Sequence, residues 1–155
     1  MARDVDVLTE TVIRRPRHEV AAYAGDPTNA PEWYANISSV EWQTPPPVAV
    51  GSRMDFVASF LGRRLAYTYE VVELVPGERL VMRTAQGPFP METTYTWADS
   101  GGGTRMTLRN RGEPSGFARV ATPVMERAMR RATSNDLARL KTVLEGAGGP
   151  AAEGR

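Results

Sequence analysis

The chain has no cysteine and only one histidine. The first absence excludes disulfides, thiolate metal sites and a cysteine nucleophile. The second leaves His18 without the carboxylate partners a metal centre needs, so no metal site is expected. No run approaches the roughly 18 apolar residues of a membrane span. Residues Met1 to Asp6 also lack the apolar segment of a signal peptide. A cytoplasmic protein with no integral membrane segment is the expectation. Neither sign of charge dominates: nineteen Lys and Arg stand against eighteen Asp and Glu, interspersed along the chain. That balance offers no footprint for nucleic acid. Arg127, Arg130, Arg131 and Arg139 alternate with apolar residues and read as the solvated face of a helix. Gly101-Gly102-Gly103 is followed by a strand pattern, so it is a hairpin tip and not a phosphate cradle.

What is present is a run of β patterns between helical segments. From Asp4 to Arg14 the residues alternate, with Val5, Val7, Thr9, Thr11 and Ile13 on one side, which predicts a half-buried strand. Pro16 opens a short helix to Ala24, because proline is tolerated where the first helical N–H has no partner. Gly25 ends that helix, and Asp26 with Pro27 starts a second, one or two turns long, that carries Trp33 and Tyr34. Strands follow at Ile37 to Gln43, Gly51 to Leu61, Arg64 to Val75, Arg79 to Ala85, Phe89 to Ala98 and Thr104 to Arg111. Proline and glycine punctuate them as in a hairpin meander. Apolar residues then recur at helical spacing from Ser115 to Glu145, with a kink or break expected at Pro123 and Thr122 as a cap. A length of 155 residues suits one domain. Its expected bounds are 3–146, with 147–155 a flexible tail rich in Gly and Ala.

Several segments resemble the START-like superfamily that includes polyketide cyclases, dehydrases and lipid-transport proteins, also known as SRPBCC. They are Pro16-x-x-x-Val20 leading to Asp26-Pro27-x-Asn29-x-Pro31-x-Trp33; Val50-Gly51-Ser52-Arg53-Met54; Tyr69 through Leu80; and Asp136-Leu137-x-Arg139-Leu140-Lys141-x-x-Leu144-Glu145. The resemblance implies an α+β helix-grip fold. A curved seven-stranded antiparallel sheet would wrap around a long C-terminal helix, with two short helices after the first strand and an apolar tunnel between sheet and helix.

The alternation along the strands separates a charged phase from an apolar one. Arg53, Asp55, Glu70, Arg83, Glu92, Arg105 and Arg109 belong in water. The opposite phase is expected to line the tunnel. Its candidate ligand-binding residues are Met54, Phe56, Tyr67, Tyr69, Met82, Thr84, Phe89, Met91, Thr93, Tyr95, Met106 and Asn110, joined by Val120, Val124 and Ala128 from the helix. Methionine and aromatic side chains adapt to irregular apolar shapes. No carboxylate or histidine falls in phase with them, so the pocket offers phenols, hydroxyls and an amide but no group that titrates near neutral pH. No catalytic residue and no cofactor are assigned. Trp33 and Tyr34 form either a lid at the tunnel mouth or a staple between the second helix and the sheet.

Three functions follow in order of support. The first is binding or carriage of a small hydrophobic ligand, a lipid, polyketide, isoprenoid or sterol-like molecule, by a monomer or homodimer. The second is a polyketide cyclase, aromatase or dehydratase acting in the same tunnel. The third is an interaction module like the family members that stimulate a heat-shock chaperone, which would need a filled cavity and an exposed apolar patch.

Overall fold

The computed structural model describes residues 5–60, 62–86, 90–112 and 122–147. Seven strands form one antiparallel sheet: β1 (Val5–Ile13), β2 (Ile37–Trp42), β3 (Arg53–Phe60), β4 (Arg63–Val75), β5 (Arg79–Gln86), β6 (Met91–Ser100) and β7 (Gly103–Gly112). Their spatial order is β1-β7-β6-β5-β4-β3-β2, so the first strand closes on the last and β2 ends at the far edge. Helix α1 (Arg17–Ala24), a 3₁₀ turn (Pro27–Asn29) and α2 (Ala30–Trp33) carry the chain from one edge to the other. Helix α3 (Thr122–Ala147) runs beside β1. This is the helix-grip fold.

Local chemistry accounts for the turns and caps. Pro16 stands at the N-cap of α1. The Asp26 carboxylate accepts the Thr28 amide at 3.0 Å and starts the 3₁₀ turn. The expected inward phase is buried at Met54, Met82, Met91 and Met106, whereas Arg83 lies exposed. An irregularity in β4 breaks that alternation: Val71 pairs with Met82 and Glu73 with Val81, which leaves Val72 as an extra residue. Past that bulge the phase reverses, so Leu74 sits opposite Leu80 and packs on the core while Glu73 is exposed.

Helix α3 covers the free edge of β1 with side chains. The Asp6 amide donates to Glu126 at 3.1 Å, Arg130 donates to the Leu8 carbonyl at 3.1 Å, Lys141 to the Val12 carbonyl at 2.6 Å, and the Arg14 amide donates to Glu145 at 2.8 Å. The match is geometric. From Glu126 to Glu145 a helix advances about 28 Å, and from Asp6 to Arg14 a strand advances about 27 Å. Charged side chains thus satisfy backbone groups that would otherwise be open to another strand. The expected helical stretch from Ser115 to Ala121 and the tail beyond 147 lie outside the described residues. Among the described residues, no helix is long and apolar enough to cross a membrane.

Candidate functional site

A cavity of ≈ 140 Å³ lies between the concave face of the sheet and α3. Phe56, Tyr67, Tyr69, Met82, Met91, Thr93, Tyr95 and Asn110 border it, all of them positions picked out by strand alternation. Other expected positions do not border it. Met54 and Met106 are fully buried in the core. The Thr84 hydroxyl is engaged by the Met91 amide at 2.9 Å, between β5 and β6. Phe89 and Val120 lie outside the described residues.

The helix contributes a different face from the one expected. Val124 is 50% exposed and Ala128 is only half-buried, with neither on the cavity wall. Met125, Met129, Thr133, Asp136 and Leu140 form the buried stripe instead, with Ala132 beside it on the wall. The two stripes differ by one residue, about 100° around the helix axis. Both read as apolar over the first turns, so spacing alone did not choose between them. Bulk decides, since the two methionines bury more area than a valine and an alanine.

The observed face brings a carboxylate to the cavity, against the expectation that the pocket offers no group titrating near neutral pH. Asp136 is 3% exposed and borders the cavity. One of its oxygens accepts the Ala35 amide at 3.0 Å. Burial pushes its pKa up to about 6, against the opposing pull of the Ala35 hydrogen bond and the Arg139 charge. Arg139 is exposed, and its Nε donates to the Glu32 carbonyl at 2.9 Å. The clue lay in the spacing: Met129, Thr133, Asp136 and Leu140 follow one another at three or four residues, which puts a carboxylate on an apolar stripe.

Facing the helix, the hydroxyls form two groups. Tyr34 and Tyr95 share a hydrogen bond of 2.6 Å. Tyr69 and Thr93 share a longer one of 3.3 Å, and Thr93 donates on to the Asn110 side-chain oxygen at 2.7 Å. Burial raises the pKa of Tyr34, Tyr69 and Tyr95, so all three stay protonated as hydrogen-bonding groups. The rings also brace one another. Phe56 meets Tyr69 edge-on at 5.5 Å, and Tyr67 stacks on Tyr69 at 5.8 Å. Trp33 is fully buried against Tyr34 and Tyr95, with ring centres 4.2 and 5.9 Å away. It is therefore the staple of α2, while Tyr34 belongs to the cavity wall.

A larger depression of ≈ 940 Å³ runs between α1 and the proline-rich segment after β2, but it holds neither the tyrosines nor Asp136. Among the described residues, no group of three or more His, Asp or Glu side chains converges on a metal-sized site.

Comparison with known proteins agrees with the architecture. Residues 4–145 match the family described as polyketide cyclase / dehydrase and lipid transport. No curated protein matches the chain in sequence. Among solved structures, a Thermus thermophilus protein, TTHA0849, superposes with a TM-score of 0.78 at 21% identity, covering 93% of this chain and 99% of that one. A Streptomyces aromatase/cyclase gives 0.74 at 14% identity, covering 95% and 99%. A Mycobacterium smegmatis START superfamily protein gives 0.67 at 16%, covering 91% and 94%. At these identities the likeness is one of fold.

Proposed function

The chain belongs to the polyketide cyclase / dehydrase and lipid transport family, and from that premise we propose that it binds a small, largely apolar molecule in the cavity between the sheet and α3. The observation that carries this reading is the wall itself. Phe56, Leu80, Met82 and Met91 supply apolar surface, while Tyr95, Thr93, Asn110 and Asp136 supply a few polar atoms from different elements. Apolar walls with sparse, converging polar groups are what a small-molecule site requires. The size is restrictive. A cavity of ≈ 140 Å³ is close to those that take up a single benzene ring. A one-ring molecule, or the ring end of a longer one, is the occupant the cavity suits, in place of a whole sterol or acyl chain.

The test is calorimetric titration with toluene, supported by the rise in melting temperature that binding to the folded state produces. Met91→Trp fills the cavity from β6 and is expected to abolish binding. Overpacking costs about 1–3 kcal/mol, within the 5–15 kcal/mol stability of an ordinary domain. Ala132→Leu fills it from α3 with a good helix former, in case the larger change unfolds the protein. Undiminished binding in a folded variant of either kind would place the ligand elsewhere.

The second reading is a cyclase or dehydratase, favoured by Asp136. A carboxyl titrating at about 6 can give or take a proton near neutral pH, where general acid–base catalysis works best. In that reading Asp136 is the acid–base group, and the Tyr34–Tyr95 hydroxyls hold a substrate carbonyl. Loss of turnover in Asp136→Asn with ligand binding retained would support it.

A further inference from the structure

We propose that the occupant is a neutral one-ring molecule bearing a hydroxyl, and that it donates that hydroxyl to the free carboxylate oxygen of Asp136. This rests on the cavity being a ligand site and names the chemistry such a ligand needs. Asp136 is almost wholly withdrawn from solvent and borders the cavity. A carboxylate has about four lone-pair positions to satisfy. Its one protein hydrogen bond among the described residues is from the Ala35 amide, at 3.0 Å, which leaves the second oxygen without a partner. Among the described residues no cation forms an ion pair with it, and Arg139, on the same helix, directs its Nε to the Glu32 carbonyl. Among the described residues no phenol donates to it: Tyr34 and Tyr95 share a hydrogen bond with each other, and Tyr69 engages Thr93. The unpartnered oxygen of a carboxylate on the wall of a mostly apolar cavity is an acceptor open to a ligand donor.

Charge and shape narrow the donor. A ligand carboxylate or phosphate would face Asp136 with like charge, and an ester or ketone brings only another acceptor. An ammonium group would have to shed its own water in a site that already disfavours ionisation, so much of its attraction is lost to desolvation. A hydroxyl carries a proton to donate without that penalty, and its oxygen remains free to accept from the Tyr34–Tyr95 pair, which has one O–H left after its internal bond. The ring fits the apolar walls of Leu80, Met82 and Met91.

Phenol and toluene are the probes, since they differ only by hydroxyl for methyl. The readout is the ratio of their dissociation constants at pH 7.5 in the wild type, in Asp136→Asn and in Asp136→Leu, measured by calorimetry or ligand-observed NMR. The hydroxyl preference is expected to fall about tenfold in Asp136→Asn, because a hydrogen bond to a charged acceptor is replaced by one to a neutral amide. It should fall further in Asp136→Leu, where the ratio alone is read because the bulkier side chain narrows the cavity for both probes. An unchanged ratio in a folded variant overturns the assignment to Asp136. Benzylamine binding more tightly than phenol overturns the neutral-ligand assignment. Toluene binding with no hydroxyl effect leaves the cavity reading standing and this one refuted, whereas no binding of either probe refutes both.

Discussion

Asp136 on α3 holds the Ala35 amide at 3.0 Å, joining the C-terminal helix to the segment between α2 and β2 across one end of the cavity. The carboxyl is buried, and its pKa is pushed up to about 6 from an ordinary value of 3.8. The folded state therefore binds this proton more tightly than the unfolded chain does. Stability contributed by Asp136 rises as pH falls through the window from about 6 to 3.8 and is absent above it. The full difference is about 3 kcal/mol at about 1.4 kcal/mol per pH unit. Asp6, Asp55 and Glu145 act in the opposite direction, because hydrogen bonds lower their pKa values and acid removes that stabilisation. The comparison with Asp136→Asn isolates the term. Urea unfolding at pH 7.5 and pH 4.5 should show the wild type gaining on the variant by about 1–3 kcal/mol at the lower pH. A constant difference between the two would show that Asp136 titrates normally.

The buried stripe of α3 makes a paired prediction. Met125→Ala removes a side chain with no solvent exposure and should cost about 2–4 kcal/mol, by lost transfer energy and a residual cavity. Val124→Ala, one residue away, alters a side chain that is half in water and should change stability by less than about 0.5 kcal/mol. Equal losses in thermal or urea unfolding would mean that the helix is rotated from the position described.

Strand phase was legible because charge and bulk alternate cleanly: Met82 is buried while Arg83 is exposed, and Met91 is buried while Glu92 is only half-buried. Proline and aspartate at the helix starts were legible for the same reason, since backbone geometry and capping act locally. Three features depend on tertiary packing and were not readable in that way. The extra residue at Val72 reverses the phase of β4 without any glycine or proline to announce it. The choice between the Val124 and Met125 stripes depends on which helix face meets β1. Asp136 is invisible to strand alternation because it reaches the cavity from a helix, as a charged position in an apolar stripe.

The edge of β1 supplies another test. Lys141 donates to the Val12 carbonyl and to Glu145, and Glu145 accepts the Arg14 amide. These groups are partly exposed, so Glu145→Ala should lower stability by no more than about 1 kcal/mol. Its larger effect should be on solubility, because an uncovered strand edge is a template for pairing with another chain. Light scattering on concentrated Glu145→Ala and Lys141→Met/Glu145→Ala samples should show more self-association than the wild type. Identical scattering would mean that the remaining contacts of Glu126 and Arg130 protect the edge by themselves.

The Tyr34–Tyr95 pair distinguishes a wall that is merely apolar from one with an organised polar group. Their hydroxyls lie 2.6 Å apart, and Tyr95 packs on both Trp33 and Trp97. Tyr95→Phe keeps the ring and leaves the Tyr34 hydroxyl without its partner, which should cost about 1–2 kcal/mol, as should Tyr34→Phe. When both hydroxyls are removed, no unsatisfied group remains. Tyr34→Phe/Tyr95→Phe should therefore cost less than the two single losses together, with a coupling of at least about 0.5 kcal/mol in a double-mutant cycle. Strict additivity would mean that each hydroxyl finds another partner when the first is lost, and the pair could then no longer be treated as one positioned group facing a ligand.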